Sequence, residues 1–411
     1  MVGDGHALAS EPVTRPCLLA IIGAAGVGSL VAHAPAAAPE LRAVARPAPF
    51  AGIVANPVSG VRTRVGCFDA LSLRPTSAPV VIFEYHDAWS ASPDGTRVAV
   101  GMSAPGREGR IGVQVVDLVR GTIELEVMTG IAAEAVAWLT ERRLVAALQR
   151  GGIVLIDPVS GAIVKRWAGW RVLDAVATRT RRRFVMLEPG QRARLAAVDR
   201  SGRLRSVSLR LAALGRRGRA ALVADPVGEH AYVLTGGRTA VDVDLRRMRV
   251  GTRRLRPEPR AGSEKGPKPG EVRQREGIWL GDGLLAISGR DFFPRGRRGA
   301  RTVPAGASTI DTKSWAVRRV DAKATGVASA PGRLIAYGQR GLRAYTLHGR
   351  RVFEALRRNP LWSVGAAGRL AYAGTPTATH VIDTGSGHIR GRISDAHAVS
   401  VISRRCPTAT R

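Results

Sequence analysis

Residues 135–167 read AVAWLTERRLVAALQRGGIVLIDPVSGAIVKRW, and this stretch decides the fold. It contains four short apolar runs, at residues 135–138, 144–148, 153–157 and 162–167, with turn-forming residues between them. Runs of this length bounded by Gly, Pro, Asp or charged residues indicate β-strands rather than helices. The stretch therefore predicts one four-stranded antiparallel sheet.

The same pattern recurs along the chain with a period of about 40 residues, which is the signature of a β-propeller with one sheet per blade. In each copy the first run is expected to be the innermost strand of its blade and the fourth run the outermost. The second runs of the copies are VAVG (98–101), LVAA (144–147), FVML (184–187), YVLT (232–235), LLAI (284–287), LIAY (334–337) and LAYA (370–373). Seven copies between residues 88 and 393 predict an all-β, seven-bladed propeller of four-stranded antiparallel blades.

Apolar segments left over at both ends keep a second blade count open. They lie at residues 61–64, 68–73 and 80–85 near the start and at residues 399–402 near the end. These segments either extend the end blades of a seven-bladed ring or combine into a composite eighth blade.

A second landmark in each copy is a turn that contains a carboxylate in all but one case. Asp accepts hydrogen bonds from its own downstream backbone, and Gly tolerates positive φ, so the pair suits a hairpin between the third and fourth strands. We therefore interpret these carboxylates as turn residues rather than catalytic groups. The landmarks are Asp117, Asp157, Asp199, Asp244, Asp311, the 347–349 turn and Asp383.

Two segments resemble units of a known repeat family. YVLT at 232–235 and HVIDTGSGHI at 380–389 look like YVTN units, and the copies over most of residues 87–393 resemble bacterial YVTN and WD-repeat-like β-propellers. The likeness to quinoprotein-dehydrogenase-like propellers is looser. Their blades carry Asp-x-x-Thr-Gly-x-x-x-Trp, and the nearest match, DPVSG at 157–161 with Trp167, departs from it. The resemblance implies a blade fold, and it implies neither an activity nor a quinone cofactor.

The charge of the chain narrows the class of partner. Formal net charge is +31, from 63 Lys and Arg against 32 Asp and Glu. Such a charge favours weak, salt-sensitive adhesion to polyanions. The Arg residues are spread over every repeat, which favours a compositional bias over a nucleic-acid-binding patch. We expect a monomer whose partner is an unknown protein or an anionic envelope polymer, and not nucleic acid.

The N-terminal residues predict export. Residues 18–32 are almost wholly apolar or small, and the small residues APAAA follow at 34–38, as in a secretory signal with its cleavage site. The apolar run is short for a membrane span, which needs about 20 residues. An Ala-rich lead without a targeting role is the alternative. We expect a secreted or cell-envelope protein without a membrane span after cleavage, divided into a signal peptide (1–36), an N-terminal linker (37–60), the propeller (61–403) and a C-terminal tail (404–411).

Two cysteines remain after removal of the signal. Cys67 and Cys406 lie at opposite ends of the mature chain, where a propeller must join its first and last strands. In an exported protein such a pair is a disulfide candidate. Two unpaired thiols are the alternative.

The densest polar cluster is Glu84, His86 and Asp87, between an outer strand and the next innermost strand. Carboxylate and imidazole side chains there could bind a cation or act as acid and base, and a polar connecting loop is the alternative. The chain shows no zinc-ligand spacing, no nucleophile elbow and no phosphate-binding loop. We therefore expect no metal site and no cofactor, and enzyme activity is unsupported.

Two insertions interrupt the repeat, at residues 256–277 and 289–306. The first joins an outermost strand to the next innermost strand, and the second joins the second and third strands of the following blade. Both connections leave the same face of a propeller, so we expect two long flexible loops to meet there. Long loops on a rigid scaffold often bind partners, although tolerated surface insertions are the alternative. The predicted binding-face residues are Phe292, Phe293, Arg295, Arg297 and Arg298.

Together these features favour an exported, non-enzymatic propeller that acts as a binding or scaffold module. The alternative is a propeller hydrolase or lyase with a metal in the central channel. Inward carboxylates or His around the axis would favour the enzyme, and an apolar or Arg-lined channel would favour the binding module.

Overall fold

The computed structural model describes residues 48–56, 62–82, 88–102, 111–149, 152–180, 182–214, 218–259, 272–294 and 300–407. These residues form 34 strands and no helix. Accordingly, none of them belongs to a helix long and apolar enough to cross a membrane. The strands assemble into eight sheets, each with four strands in the order expected of a propeller blade, and one sheet carries two additional strands.

The strands of blades 1 to 4 follow the chain in order. Blade 1 takes three strands from the start, β1 (Phe50–Asn56), β2 (Arg62–Phe68) and β3 (Val80–Ile82). Blade 2 comprises β4 (Trp89–Ala91), β5 (Arg97–Met102), β6 (Gly112–Asp117) and β7 (Thr122–Met128). Blade 3 comprises β8 (Ala133–Thr140), β9 (Arg143–Leu148), β10 (Gly152–Ile156) and β11 (Ile163–Trp167). Blade 4 comprises β12 (Asp174–Ala177), β13 (Phe184–Glu188), β14 (Gly190–Val198) and β15 (Leu204–Leu214).

The remaining strands begin with the short β16 (Gly218–Arg219). Blade 5 comprises β17 (Ala221–Ala224), β18 (His230–Leu234), β19 (Thr239–Asp244) and β20 (Arg249–Arg254). Blade 6 comprises β21 (Val272–Gly281), β22 (Leu284–Pro294), the additional β23 (Ala300–Pro304), β24 (Ala307–Asp311) and β25 (Val317–Asp321). Blade 7 comprises β26 (Gly326–Ala330), β27 (Arg333–Gly338), β28 (Gly341–Thr346) and β29 (Arg351–Ala355). Blade 8 comprises β30 (Ser363–Ala367), β31 (Leu370–Gly374), β32 (Thr379–Asp383) and β33 (Ile389–Ile393), and β34 (Ala398–Ser403) ends the series.

The ring closes through blade 1, which both ends of the described chain build. The innermost strand is β34, which pairs antiparallel with β1, and β2 and β3 follow outward. The expectation of seven blades is therefore wrong, and the alternative of a composite eighth blade is confirmed. Strand β1 lies within the segment expected to be a linker (37–60). It is a strand because Phe50 packs toward blade 8 and Ile53 packs toward blade 2.

The core lies between the blades. In the described part of the chain, every pair of neighbouring blades encloses one apolar cluster, from Val98 and Val65 between blades 1 and 2 to Tyr372 and Phe50 between blades 8 and 1. Successive innermost strands also contact each other around the axis. Small residues permit this approach, since a Cβ on Gly365 of β30 would lie 2.3 Å from the Val399 carbonyl oxygen of β34.

The carboxylate turns form as the sequence predicts. Asp117 Oδ1 accepts hydrogen bonds from the backbone N–H groups of Val119 and Arg120, at 2.8 and 2.9 Å. Asp383 Oδ1 accepts in the same way from Gly385 and Ser386. These carboxylates therefore stabilise hairpins between third and fourth strands, which leaves other side chains to provide function.

Candidate functional site

Blade 6 carries a sheet extension that the other blades lack in the described residues. The name accessory sheet is used below for four strand segments: β16, residues 272–276 of β21, residues 288–294 of β22, and β23. Strand β16 pairs parallel with β21, and β22 pairs with β24 through residues 284–287 but with β23 through residues 290–294. Val272 lies opposite Phe292, so the two insertions meet. Both lie on the face that carries the connections between blades.

The sequence predicted two flexible loops here, and the structure differs in part. Strand β21 begins at Val272, inside the first insertion, and Phe292 and Phe293 lie on β22 rather than on a mobile loop. Each Phe is half-buried, and because side chains alternate along a strand, the two rings lie on opposite faces of the sheet. The Arg290 guanidinium lies 5.2 Å from the centroid of the Phe292 ring. Cross-strand pairing on both sides of β22 explains why these apolar residues are ordered.

The other predicted surface and polar residues lie outside the described residues. These are Arg295, Arg297 and Arg298 of the binding face, and Glu84, His86 and Asp87 of the polar cluster.

A buried ion pair that sequence reasoning missed lies at the base of the accessory sheet. Arg275 Nη1 lies 2.7 Å from Asp291 Oδ1, and the two side chains are 1% and 0% exposed. The same Nη1 donates to the carbonyl oxygens of Gln274 and Arg290, at 2.9 and 3.3 Å. Arg275 and Asp291 are diagonal neighbours, since Asp291 is opposite Arg273 in the register. The pairing of β21 with β22 decides this contact, and no local sequence signal shows it.

Carboxylates also connect innermost strands on the wall of the channel. Asp174 Oδ2 of β12 accepts a hydrogen bond from Leu222 N of β17 at 3.1 Å, and Glu276 Oε1 of β21 accepts one from Val327 N of β26 at 2.9 Å. Glu276 keeps contact with solvent, yet burial raises the pKa of its carboxyl to about 7, against the lowering effect of the Val327 N–H and the Arg290 charge. The two carboxylates act first as links between blades.

Glu276 makes the stability of the protein depend on pH. Its pKa rises from 4.5 to about 7 on folding, so the charged form disfavours the folded state as pH rises above about 4.5, and the full cost is present above about pH 7. We expect Glu276→Gln, which keeps the acceptor oxygen, to increase the free energy of unfolding at pH 8 by about 1 kcal/mol, since solvent contact screens the effect. The gain should vanish near pH 4. Urea unfolding of the wild type and of Glu276→Gln at pH 4 and pH 8 measures this gain. An equal difference in the free energy of unfolding at the two pH values would contradict a raised pKa of Glu276.

Two observations in the described residues bear on the alternative of a metal-dependent enzyme. No three His, Cys, Asp or Glu side chains among them come together as ligands for a metal ion. Asp174 and Glu276 are each occupied by a backbone N–H from the next blade. Two carboxylates on the channel wall are the feature expected of the hydrolase or lyase alternative, and both already link neighbouring blades.

Cys67 and Cys406 form a disulfide in the structure. Their Cα atoms lie 5.8 Å apart, within the range that a disulfide requires. Cys67 lies on β2, and Cys406 follows β34, so the bond joins the two chain segments that build blade 1.

Comparison with known proteins supports the fold. No protein-family model and no curated protein matches this chain. The solved structure of dihydro-heme d1 dehydrogenase NirN in complex with DHE is similar with a TM-score of 0.60 and 15% identity, over 90% of this chain and 78% of NirN. A eukaryotic initiation factor has a TM-score of 0.53 at 10% identity, over 90% and 94% of the two chains. The computationally designed protein Ika8 has a TM-score of 0.50 at 10% identity, over 73% and 86%. At these identities the similarity shows the fold alone, and the chain is a β-propeller.

Proposed function

We propose that this protein is an exported, non-enzymatic binding module whose contact surface is the accessory sheet of blade 6. The observation that carries the proposal is the Arg275–Asp291 ion pair beneath that sheet. Burying two charges is costly, so a buried pair is weak evidence of stability, and in some proteins such a pair fixes one conformation. A fixed extension that the ring does not need for closure is well suited to presenting a surface to a partner.

The chemistry of the accessory sheet favours a partner with apolar and anionic groups. The exposed Arg290 lies beside the half-buried Phe292 on one face of the accessory sheet, and the exposed Arg301 lies opposite the half-buried Phe293 on the other face. Aromatic side chains and Arg are enriched among residues that dominate binding energy. The net charge of +31 adds long-range attraction. We infer an envelope protein or an anionic envelope polymer as the partner.

Export is the second half of the proposal. The apolar run at 18–32, followed by small residues, supports a cleaved signal. The Cys67–Cys406 disulfide supports an oxidising compartment, since disulfides are rare in the cytosol. N-terminal sequencing of the protein from its host should show a start near Ala37, and recovery of the intact Met1 form from the cytosol would contradict export.

The binding surface is tested by truncating its two aromatic side chains. We expect Phe292→Ala/Phe293→Ala to weaken binding of the captured partner by about 2 kcal/mol or more, the usual threshold for a hot spot. The partner is first isolated from the envelope fraction with the wild-type protein, and its dissociation constant is then measured for both proteins by calorimetry. We expect the melting temperature of the ring to change little, since both side chains lie in the accessory sheet, outside residues 284–287 of β22 that pair with β24.

A control comes from blade 8. Trp362 is an exposed aromatic residue that precedes the innermost strand β30, on a connection between blades that leaves the same face of the propeller. Trp362→Ala should leave partner binding unchanged. Equal weakening by both variants, or a loss of stability without weaker binding in the Phe variant, would contradict the proposed surface.

A further inference from the structure

A Trp occupies a backbone position that glycine holds in three other blades. In the turn between third and fourth strands, the fifth residue donates its N–H to the carbonyl oxygen of the first, from Gly121 to Asp117, Gly161 to Asp157 and Gly387 to Asp383. These glycines have φ between 67° and 78°. In blade 6 the same hydrogen bond runs from Trp315 to Asp311, and Trp315 has a φ of 60°. A bulky residue at positive φ is strained, and Met248 holds the same position in the turn of blade 5 with a φ of 54°.

A carboxylate in the neighbouring blade also departs from the repeat. Asp242 lies two residues before the turn Asp244 on the third strand of blade 5. The register places it opposite Tyr232 on β18. The corresponding residues on the third strands of the other blades built from one continuous segment are Val115, Leu155, Ala197, Thr309, Ala344 and Val381. A carboxylate at a position that is apolar in most blades requires polar partners.

Two basic side chains of blade 5 supply those partners. His230 Nδ1 lies 2.8 Å from Asp242 Oδ1, and Arg253 Nη2 donates to Asp242 Oδ2 at 3.3 Å. Asp242 is mostly buried, whereas the side chains of His230 and Arg253 are 41% and 48% exposed. Asp242 therefore fixes the positions of His230 and Arg253, and part of each basic side chain remains accessible to solvent.

Aromatic rings of blades 5 and 6 pack beside these two basic side chains. Tyr232 stacks on His230 at 6.1 Å and on Trp279 of blade 6 at 6.1 Å. The Trp315 ring lies 6.0 Å from the Tyr232 ring, and the Arg253 guanidinium lies 5.8 Å from the centroid of the Trp315 ring. Burial, together with the charges of Asp242 and Asp225, raises the pKa of Tyr232 to about 12, so its hydroxyl stays neutral. The strained Trp315 thus supports one of the two exposed basic side chains.

We propose that this cluster binds an oxyanion, a phosphate or carboxylate group of a ligand, through Arg253 and His230. Both oxygens of Asp242 are occupied, so the groups left for a ligand are the outward N–H donors of Arg253 and Nε2 of His230. Arg presents its donors in a planar fork that matches both anions. His230 begins β18 and Arg253 lies one residue before the end of β20, so the two basic groups reach Asp242 from opposite ends of blade 5. The proposal does not depend on the proposed function.

The test uses inorganic phosphate and acetate as probes at constant ionic strength, with calorimetry on the full chain. We expect saturable binding of at least one probe. Arg253→Gln should weaken it about tenfold or more, the worth of a hydrogen bond to a charged group. Arg254→Gln is the matched control, because it removes the same charge from the next residue of β20, which points to the other face of the blade. Tighter binding of phosphate assigns a phosphate ester, and tighter binding of acetate assigns a carboxylate.

A second variant keeps the test decisive if Arg253→Gln fails to fold. Trp315→Gly restores the residue that three other turns use and removes the ring beneath Arg253, so it should fold and also bind the probe more weakly. Absence of saturable binding by both probes would overturn the proposal. Equal weakening by Arg253→Gln and Arg254→Gln would also overturn it, since that result indicates general attraction to a basic protein.

Discussion

Replacing Cys67 and Cys406 by Ser should lower the free energy of unfolding by about 5 kcal/mol. The disulfide joins residues 339 positions apart, so its loss greatly increases the conformational freedom of the unfolded chain. It also joins β2 to the segment after β34, and β34 reaches blade 1 only through its pairing with β1. Guanidinium unfolding of the oxidised protein and of the double variant measures the difference, and non-reducing mass spectrometry of the linked peptides confirms the bond.

The single variants provide the control for the disulfide. Cys67→Ser and Cys406→Ser should each cost as much as the double variant, because either one removes the whole bond. Additive losses would mean that the two side chains contribute separately through packing. A loss below about 1 kcal/mol in the double variant would contradict a role for the bond in ring closure.

Asp291→Leu should be the most damaging change in the accessory sheet, with a loss of about 3 to 5 kcal/mol. The reason is that Arg275 then remains charged, fully buried and without its carboxylate. Replacing both residues, as Arg275→Met/Asp291→Leu, should restore most of the lost stability, since a well-packed apolar pair of similar volume is often neutral or stabilising. Urea unfolding of the three variants against the wild type measures these values.

An exposed pair offers the comparison for Arg275. Arg238 Nε lies 2.8 Å from Glu258 Oε2 on the surface. Arg238→Met should cost less than about 1 kcal/mol, as exposed pairs contribute little. If Asp291→Leu lowers the free energy of unfolding by no more than Arg238→Met does, the buried pair does not stabilise the accessory sheet. If the double variant is stable but no longer binds the partner, the pair serves the shape of the surface rather than the stability of the ring.

The sequence alone was sufficient for the blades made from one continuous segment. The four runs at 135–167 became β8 to β11, and the turn carboxylates bond to their own downstream backbone, as their spacing predicts. Both features depend on residues close together in the chain, where apolar runs and turn chemistry act locally.

The blade count and the candidate sites were decided by tertiary structure. The sequence of β1 does not show that the segment is a strand, because its partner β34 lies hundreds of residues away in the chain. The Arg275–Asp291 pair and the Asp242–His230 contact likewise depend on which strand residues lie opposite each other. The sequence by itself determined an all-β repeat with hairpin turns, since local propensities suffice for that. Only tertiary structure decided eight blades and the placing of charged and aromatic side chains, because ring closure and strand register are nonlocal.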